Sequence, residues 1–414
     1  MKTVALITEY NPFHNGHAYH MEQARRLTGA DYVIIVMSGD YVQRGVPAVL
    51  DKYTRTRMAL KCGGDLVLEL PVCYATGSAE YFARGAVTLL DSLGVVDCLC
   101  FGSESGEILP FQKTAALLWE EPASYSLALK ESLKTGKSFP AARQEALEAF
   151  LTEQGEEPRQ SLALLSSPNN ILGVEYCKAL AALDSPICPL TIQRKDCGYH
   201  DRELGANFSS ASAIRRAIET GENLSVLECH MPPASFEIFS NALGTNGPVT
   251  EDDFSSLLRY KLLLESSGGS KKSLLRFQDV SEDLARRIIN RQNQCDSFSY
   301  FTEVLKTKEL TYTRISRALL HILLELSPED IPQQTPYARI LGFRREAAPL
   351  LAEIKKAGRI PVISRPAAAK ELLTPQAYRL FQKEVFASNL YESILVSKFH
   401  REFSHELTRG VLLA

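Results

Sequence analysis

The fold of this chain is decided by a stretch near its start, Glu9-Tyr10-Asn11-Pro12-Phe13-His14-Asn15-Gly16-His17. An apolar run at residues 4–7 precedes it, and a segment of helical character at residues 18–27 follows it. An apolar strand, a tight turn with Pro and Gly, and a helix make up the first βα unit of a nucleotide-binding α/β fold. Three of the chain's eight histidines, His14, His17 and His20, fall within seven residues here.

The composition is that of a globular protein without an overall nucleic-acid signature. The chain has 414 residues, of which 45% are hydrophobic and 23% charged, with a net charge of −3. This length predicts two to three domains. The nine cysteines are scattered and form no C-x-x-C pair, which favours free thiols in a reducing compartment. No apolar run approaches the ~20 residues of a membrane span, so we expect a cytoplasmic protein that does not enter a membrane.

The first part of the chain alternates strands and helices. Apolar runs predict strands at residues 4–8, 32–37, 66–70, 95–101 and 187–192, with amphipathic helices at 18–27, 51–61, 79–93 and 169–183. Strands that are apolar on both faces predict a Rossmann-like parallel sheet covered on both sides. We therefore expect an α/β domain over 1–230 with a helical insertion at 108–160, followed by a mostly α-helical domain over 231–414.

The histidine turn is the strongest candidate for chemistry. His14 and His17 lie three residues apart, so on the first turn of a helix both imidazoles can face one ligand. Imidazole N–H donors at a helix N-terminus can stabilise the charge that develops on a phosphate during nucleotidyl transfer. The alternative is a pair of capping histidines with ordinary partners. A metal site is not favoured, because no carboxylate or further ligand stands at the required spacing.

Two further groups suit a nucleotide. Ser209, Ser210, Ser212 and Arg215 place hydroxyls and an arginine at a predicted helix start that runs to Thr220, which suits phosphates, although Ser-rich helix caps are common without a ligand. Gly102, Asn169 and Arg194 stand at a strand end, at a helix start and after the fifth strand. In open α/β sheets ligands bind at this carboxyl edge, although each residue alone also suits a cap or a solvated charge.

A polar loop and an arginine cluster are candidates for the second substrate. The loop after the second strand carries Asp40, Gln43 and Arg44, with Lys52 behind it, and suits either an acceptor pocket or a solvated loop. Lys and Arg outnumber Asp and Glu over residues 301–414, where Arg314 and Arg317 are candidates for RNA contacts. A solvated helix face is the alternative explanation of these arginines.

These motifs together resemble the HIGH nucleotidyltransferase superfamily and, more closely, the tRNA(Met) cytidine acetate ligase family. The resemblance rests on residues 9–17 and on three further stretches, Met37-Ser38-Gly39-Asp40-Tyr41-Val42-Gln43-Arg44-Gly45, Pro168-Asn169-Asn170-Ile171-Leu172 and Tyr199-His200-Asp201. It covers most of residues 1–220 and continues more loosely to the C-terminus.

The resemblance implies an ATP-dependent ligase that forms acetyl-adenylate from acetate and acetylates N4 of the wobble cytidine of elongator tRNA(Met). It implies catalytic roles for His14 and His17, and Mg²⁺ accompanying ATP. The implied ATP contacts are Ile7, Thr8, Glu9, Tyr10, Asn11, Pro12, Phe13, His14, Asn15, Gly16, His17, Ala18, Tyr19, His20, Gly102, Asn169 and Arg194. The helical domain then binds the tRNA. Two alternatives remain at this point: a small-molecule adenylyltransferase of cofactor biosynthesis, and a catalytically silent, nucleotide-sensing RNA-binding protein.

Overall fold

The α/β alternation predicted for the first part of the chain is present in a computed structural model that describes residues 1–194, 209–267 and 271–414. The strands are β1 (Thr3–Thr8), β2 (Tyr32–Ser38), β3 (Tyr41–Val42), β4 (Val46–Pro47), β5 (Leu66–Leu70), β6 (Cys98–Ser103), β7 (Cys188–Gln193), β8 (Ala338–Phe343), β9 (Val362–Ile363) and β10 (Leu412–Leu413). The eight cysteines among these described residues are free thiols.

The helices are described in two groups. The first group is α1 (Asn15–Thr28), α2 (Lys52–Lys61), α3 (Val72–Ala75), α4 (Ala79–Leu93), α5 (Ile108–Glu120), α6 (Ala123–Lys134), α7 (Phe139–Glu153), α8 (Arg159–Leu164), α9 (Pro168–Ala182) and α10 (Ala211–Glu219). The second is α11 (Pro233–Ala242), α12 (Ser255–Ser266), α13 (Glu282–Arg291), α14 (Phe298–Leu305), α15 (Tyr312–Leu323), α16 (Ala348–Ala357), α17 (Ala369–Leu372) and α18 (Pro375–Phe399). No helix in the described part of the chain is long and apolar enough to cross a membrane.

The central sheet has the strand order β10-β8-β5-β2-β1-β6-β7, and β9 pairs with β8. The five strands from β5 to β7 are parallel, and every residue of β5 is buried. The predicted parallel sheet is therefore confirmed. After β1 the chain adds β2 and then β5 on one side of β1, and it later returns to add β6 and β7 on the other side. The strand order therefore reverses at β1. Such a reversal opens a crevice at the carboxyl ends of the strands, where α/β proteins bind ligands.

The C-terminal part of the chain is mostly helical, as predicted, but it also completes the sheet. β8 lies antiparallel to β5, with Glu69 opposite Arg339, and both β9 and β10 pair with β8. The sequence analysis missed these three strands. A division at residue 230 therefore does not separate the sheet from the rest of the chain.

Candidate functional site

The histidine turn lies at the carboxyl end of β1, where the strand order reverses. Ile7 and Thr8 end β1, the turn spans residues 9–14, and Ala18, Tyr19 and His20 follow in α1. Tyr10 and Phe13 are almost fully buried, and their rings meet edge to face at 4.7 Å between centroids. The Tyr10 ring also packs against His17 at 4.8 Å. The two aromatic residues of the motif therefore form a buried support for the imidazole of His17.

Hydrogen bonds from three helices hold the backbone of this turn. The Asn11 carbonyl accepts from Arg215 Nη1 at 2.7 Å, and the Phe13 carbonyl accepts from Ser235 Oγ at 3.1 Å. The Glu9 carbonyl accepts from Arg55 Nη1 at 2.6 Å. Asn11 Oδ1 accepts the Val49 N–H at 2.8 Å, and Asn15 Nδ2 donates to the Cys229 carbonyl at 2.8 Å. The turn is thus tied to parts of the chain far away in sequence.

The two imidazoles cap α1, and their hydrogen bonds assign the tautomer of each. His14 is the N-cap residue, and its Nδ1 accepts the Gly16 N–H at 3.1 Å. His17 Nδ1 accepts the His14 N–H at 3.3 Å. Because both Nδ1 atoms accept, the ring proton of each histidine is on Nε2. The rings lie 3.7 Å apart between centroids, so the site holds two adjacent Nε2–H donors at a helix N-terminus.

The three histidines of the motif are neutral at physiological pH. Burial, followed by the charges of Arg194 and Arg215, lowers the pKa of His14 to about 3. Burial also lowers the pKa of His17 well below its usual value, with His14 and Arg194 contributing. The pKa of His20 falls to about 4 because of burial and Arg194. These imidazoles can therefore donate hydrogen bonds to a phosphate without titrating near neutrality.

Gly102 and Arg194 lie together on the other side of the crevice. Gly102 belongs to β6, and a Cβ atom there would lie 3.3 Å from Cγ of Arg194. The Arg194 N–H donates to the Ser103 carbonyl at 2.9 Å, which fixes the residue after β7 against the end of β6. The exposed guanidinium is close enough to lower the pKa of all three histidines. The structure thus brings these two predicted residues to the histidine turn.

Several covered polar atoms at this crevice have no hydrogen-bond partner among the described residues. Two of them are Nε2 of His20 and Nδ2 of Asn169, at the start of α9. Asn170, the neighbour of Asn169, accepts the Glu104 N–H with its Oδ1 at 3.3 Å, which joins α9 to the end of β6. Buried polar groups are seldom left unpaired, so these atoms fit a polar ligand in the crevice.

The serine cluster is brought to the histidine turn through Arg215. Ser210 is the N-cap of α10 and accepts the Ala213 N–H at 3.1 Å. Ser212 Oγ accepts from Arg215 Nη2 at 3.1 Å, while the other arm of Arg215 bonds the turn. The buried Ser209 hydroxyl lies 3.2 Å from His230 Nδ1. The serines and the arginine that are predicted to bind phosphate therefore lie next to His14. The stretch Tyr199-His200-Asp201 lies outside the described residues.

Asp40 and Lys52 do not lie at a surface, contrary to the expectation that they contact a second substrate there. Lys52 is fully buried, and its ammonium lies 2.7 Å from both Glu69 and Glu406. Asp40 is 6% exposed, and its Oδ1 accepts the Lys52 N–H at 2.8 Å. Arg339 pairs with both glutamates. The two residues belong to a buried ion cluster that joins the sheet to the C-terminal segment.

Gln43 and Arg44 lie on a hairpin that packs against α15, the helix that carries Arg314 and Arg317. The hairpin of β3 and β4 packs on α15 so closely that a Cβ atom on Gly45 would collide with the Arg317 backbone. The Gln43 N–H donates to Glu9 Oε1 at 2.9 Å, which ties this hairpin to the histidine turn. Arg44 and Arg314 are exposed, while Arg317 is mostly covered and pairs with Asp279 at 3.1 Å. A basic surface therefore borders the nucleotide crevice.

Sequence reasoning missed several residues that build this site. Arg55 is fully buried, and its guanidinium donates to the carbonyls of Glu9, Ser38, Gly39 and Leu50. His230 and Ser235 support the serine cluster and the turn. An isolated histidine or serine with no motif gives no local signal. Arg55 gives no local signal either, because its role as a tie between β1 and β2 depends on the tertiary fold.

Comparison with known proteins places the chain in a family. A model of the HIGH nucleotidyl transferase family matches residues 1–406. A tRNA(Met) cytidine acetate ligase of Acetivibrio thermocellus is 39% identical over 426 residues, covering 100% of both chains. The chain belongs to the tRNA(Met) cytidine acetate ligase family. Another tRNA(Met) cytidine acetate ligase, from Thermoanaerobacter sp. (strain X514), is 42% identical over 395 residues, covering 94% of this chain and 95% of that protein.

Solved structures agree with membership of the tRNA(Met) cytidine acetate ligase family. The crystal structure of Thermotoga maritima TmcAL bound with alpha-thio ATP has a TM-score of 0.91 and 34% identity, covering 100% of both chains. The apo structure, form I, has a TM-score of 0.94 and 34% identity, covering 100% of this chain and 99% of that one. The resemblance seen in the motifs and the fold class are therefore confirmed.

Proposed function

We propose that this protein is an ATP-dependent ligase that activates acetate as acetyl-adenylate. It then transfers the acetyl group to N4 of the wobble cytidine of elongator tRNA(Met), which forms N4-acetylcytidine. The observation that carries the proposal is the pair of neutral imidazoles with Nε2–H donors at the start of α1, in the crevice of the sheet. The relatives that match over nearly their full length, both tRNA(Met) cytidine acetate ligases, supply the substrates.

In the first step an acetate oxygen attacks the α-phosphorus of ATP, and the bond to pyrophosphate breaks. Acetate needs no base, because a carboxylic acid with a pKa of about 4 is ionised at neutral pH. The protein must instead offset the repulsion between the carboxylate and the triphosphate. His14 and His17 would donate Nε2–H bonds to the α-phosphate, and the N-terminus of α1 adds its dipole there. Arg194, Arg215 and the hydroxyls of Ser209, Ser210 and Ser212 would receive the leaving phosphates.

Mg²⁺ is proposed to accompany the nucleotide and not to reside in a protein cage. No group of three or more His, Cys, Asp or Glu residues that could hold a metal ion occurs in the described part of the chain. Mg²⁺ in nucleotide sites is commonly held by phosphate oxygens and water with few protein ligands. Its chemistry when bound is to neutralise charge on the triphosphate.

In the second step the cytosine amine attacks the acetyl carbon, and AMP leaves. The exposed Arg44 and Arg314 border the crevice and would hold the tRNA backbone near it. An anticodon base is single-stranded, so it can be turned into a pocket at little cost. We place this reaction in the cytoplasm, where tRNA and ATP are available.

Isotope exchange between pyrophosphate and ATP tests the first step. We expect exchange only when acetate is present. Exchange driven by a phosphorylated cofactor precursor would instead support the small-molecule adenylyltransferase, and no exchange with any acid would support a silent RNA-binding protein. Mass spectrometry of total tRNA nucleosides from cells with and without the protein tests the second step, and unchanged N4-acetylcytidine would refute it.

A further inference from the structure

Glu9 is a half-buried carboxylate of the histidine turn whose side chain faces the β3–β4 hairpin. Its Oε1 accepts the Gln43 N–H at 2.9 Å, on the side of the β3–β4 hairpin. The buried Arg55 guanidinium bonds the backbone carbonyl of Glu9 and is close enough to interact with its charge, but no ion pair joins the two side chains. A carboxylate beside a triphosphate repels it. The side chain of Glu9 is therefore unsuited to a contact with the phosphates.

The surroundings of Glu9 place it between the two substrates. Burial and then the charge of Glu9 raise the pKa of Tyr176 on α9, so the carboxylate adjoins the inner wall of the crevice. On the other side it bonds the hairpin that carries the exposed Arg44, and this hairpin packs on α15, the helix of Arg314. Glu9 thus lies where the histidine turn meets the basic surface. A base brought from that surface toward the α-phosphate would pass this carboxylate.

The chemistry of a carboxylate selects one partner at this position. Glu and Asp accept hydrogen bonds from the N4 amine of cytosine, which is the only exocyclic donor of that base. Another carboxylate of this region, Asp40, is occupied, because its Oδ1 accepts the Lys52 N–H and its side chain is buried in the ion cluster. Uracil carries an oxygen in place of the amine and would meet Glu9 as a second acceptor. Glu9 can therefore both recognise the cytosine and receive a proton from it.

We propose that the Glu9 carboxylate accepts a hydrogen bond from N4 of the target cytosine and takes up its proton during acetyl transfer, an inference that rests on the proposed function. The N4 lone pair forms the C–N bond to the acetyl carbon. The bond between that carbon and the adenylate oxygen breaks, and AMP leaves with the electron pair. The proton that N4 loses passes to Glu9 and then to solvent.

The test separates adenylation from transfer in Glu9→Gln. Three rates are measured: acetate-dependent pyrophosphate exchange, formation of acetyl hydroxamate when hydroxylamine replaces tRNA, and single-turnover acetylation of tRNA(Met). Hydroxylamine is a strong nucleophile that needs no enzymic base. We expect the first two rates to fall only a few-fold and acetylation to fall about 100-fold or more. Glu131→Gln, at an exposed position of α6, is the matched control and keeps all three rates.

Binding of a tRNA(Met) with uridine at the wobble position gives an independent readout. The unmodified protein should bind the cytidine form about 5- to 150-fold more tightly, and Glu9→Gln, whose amide can also donate, should narrow this ratio. Equal loss of all three rates in Glu9→Gln, or full acetylation, would overturn the proposal. If Glu9→Gln does not fold, Glu9→Asp decides it, with transfer reduced far more than exchange. Absence of acetate-dependent exchange in the unmodified protein would instead refute the proposed function.

Discussion

Gly16→Ala should separate the activity of this protein from its stability. A Cβ atom at Gly16 would lie 2.9 Å from Cε1 and 3.1 Å from Nδ1 of the His14 ring. Carbon atoms in ordinary contact are about 3.5–4.0 Å apart, so the imidazole must move by roughly 0.5–1 Å. The ring would then lose its bond to the N–H of residue 16 and turn its Nε2 away from the α-phosphate.

The energies of this change nearly cancel. Loss of the helix cap costs about 0.5–2 kcal/mol. Replacing Gly by Ala inside a helix stabilises the folded state by about 0.5–1 kcal/mol. We therefore expect the free energy of unfolding to change by no more than about 1.5 kcal/mol. Catalysis is far more sensitive, since a misplacement of about 1 Å can lower a rate about 100-fold.

Urea unfolding and acetate-dependent pyrophosphate exchange are the two assays. Gly410→Ala is the matched control, because a Cβ atom there meets nothing within 4 Å. We expect the control to keep both properties and Gly16→Ala to keep stability while losing exchange. Exchange at the unmodified rate in Gly16→Ala would show that the position of His14 does not matter. A parallel loss of stability and exchange would show that the turn itself had collapsed.

Three further predictions address the catalytic histidine, the basic surface and the ion cluster. His17→Ala should abolish acetyl-adenylate formation while gel-shift assays still detect tRNA binding; loss of both would make His17 structural. Arg314→Ala should lower the slope of log affinity against log salt by about 1, whereas an unchanged slope would assign the exposed guanidinium to a solvated face. Burial acts to raise the pKa of Glu406, but Lys52 and Arg339 outweigh it and lower the value to about 2. The carboxylate therefore stabilises the fold above about pH 4.5 and loses this effect as the pH falls toward 2. Glu406→Gln should flatten the fall in unfolding free energy over that range, and an unchanged fall would assign the acid sensitivity elsewhere.

The parts of the fold that sequence predicted are those with local signals. Strands β1, β2 and β5 are apolar on both faces, and α1 begins at a capping residue, so each shows its character within a few residues. β8 was missed because its pairing with β5 joins residues far apart in the chain, and a six-residue run beside helices has no distinctive period. Antiparallel placement of a late strand is a property of the assembled sheet.

The residues of the candidate site likewise fall into those with a local sequence signal and those without one. The motif at residues 9–17 is contiguous, and its spacing predicts a phosphate turn without reference to the rest of the chain. Lys52 was misread because a lysine after a polar loop usually faces water. Its partners Glu69 and Glu406 are brought to it only by the tertiary fold. The role of Arg55 could not be predicted for the same reason, since its four carbonyl acceptors come from separate turns.

The position of β8 constrains how this protein is made. During synthesis, β5 emerges long before residues 338–343, which form its antiparallel neighbour, and Glu69 emerges long before its partner Arg339. Until then β5 presents an open edge of backbone N–H and C=O groups, a surface prone to pair with other chains. A fragment ending near residue 230 would keep the whole histidine turn and still carry this open edge. The sheet that carries the histidine turn therefore acquires its partner for β5 only after residues 338–343 have been synthesised.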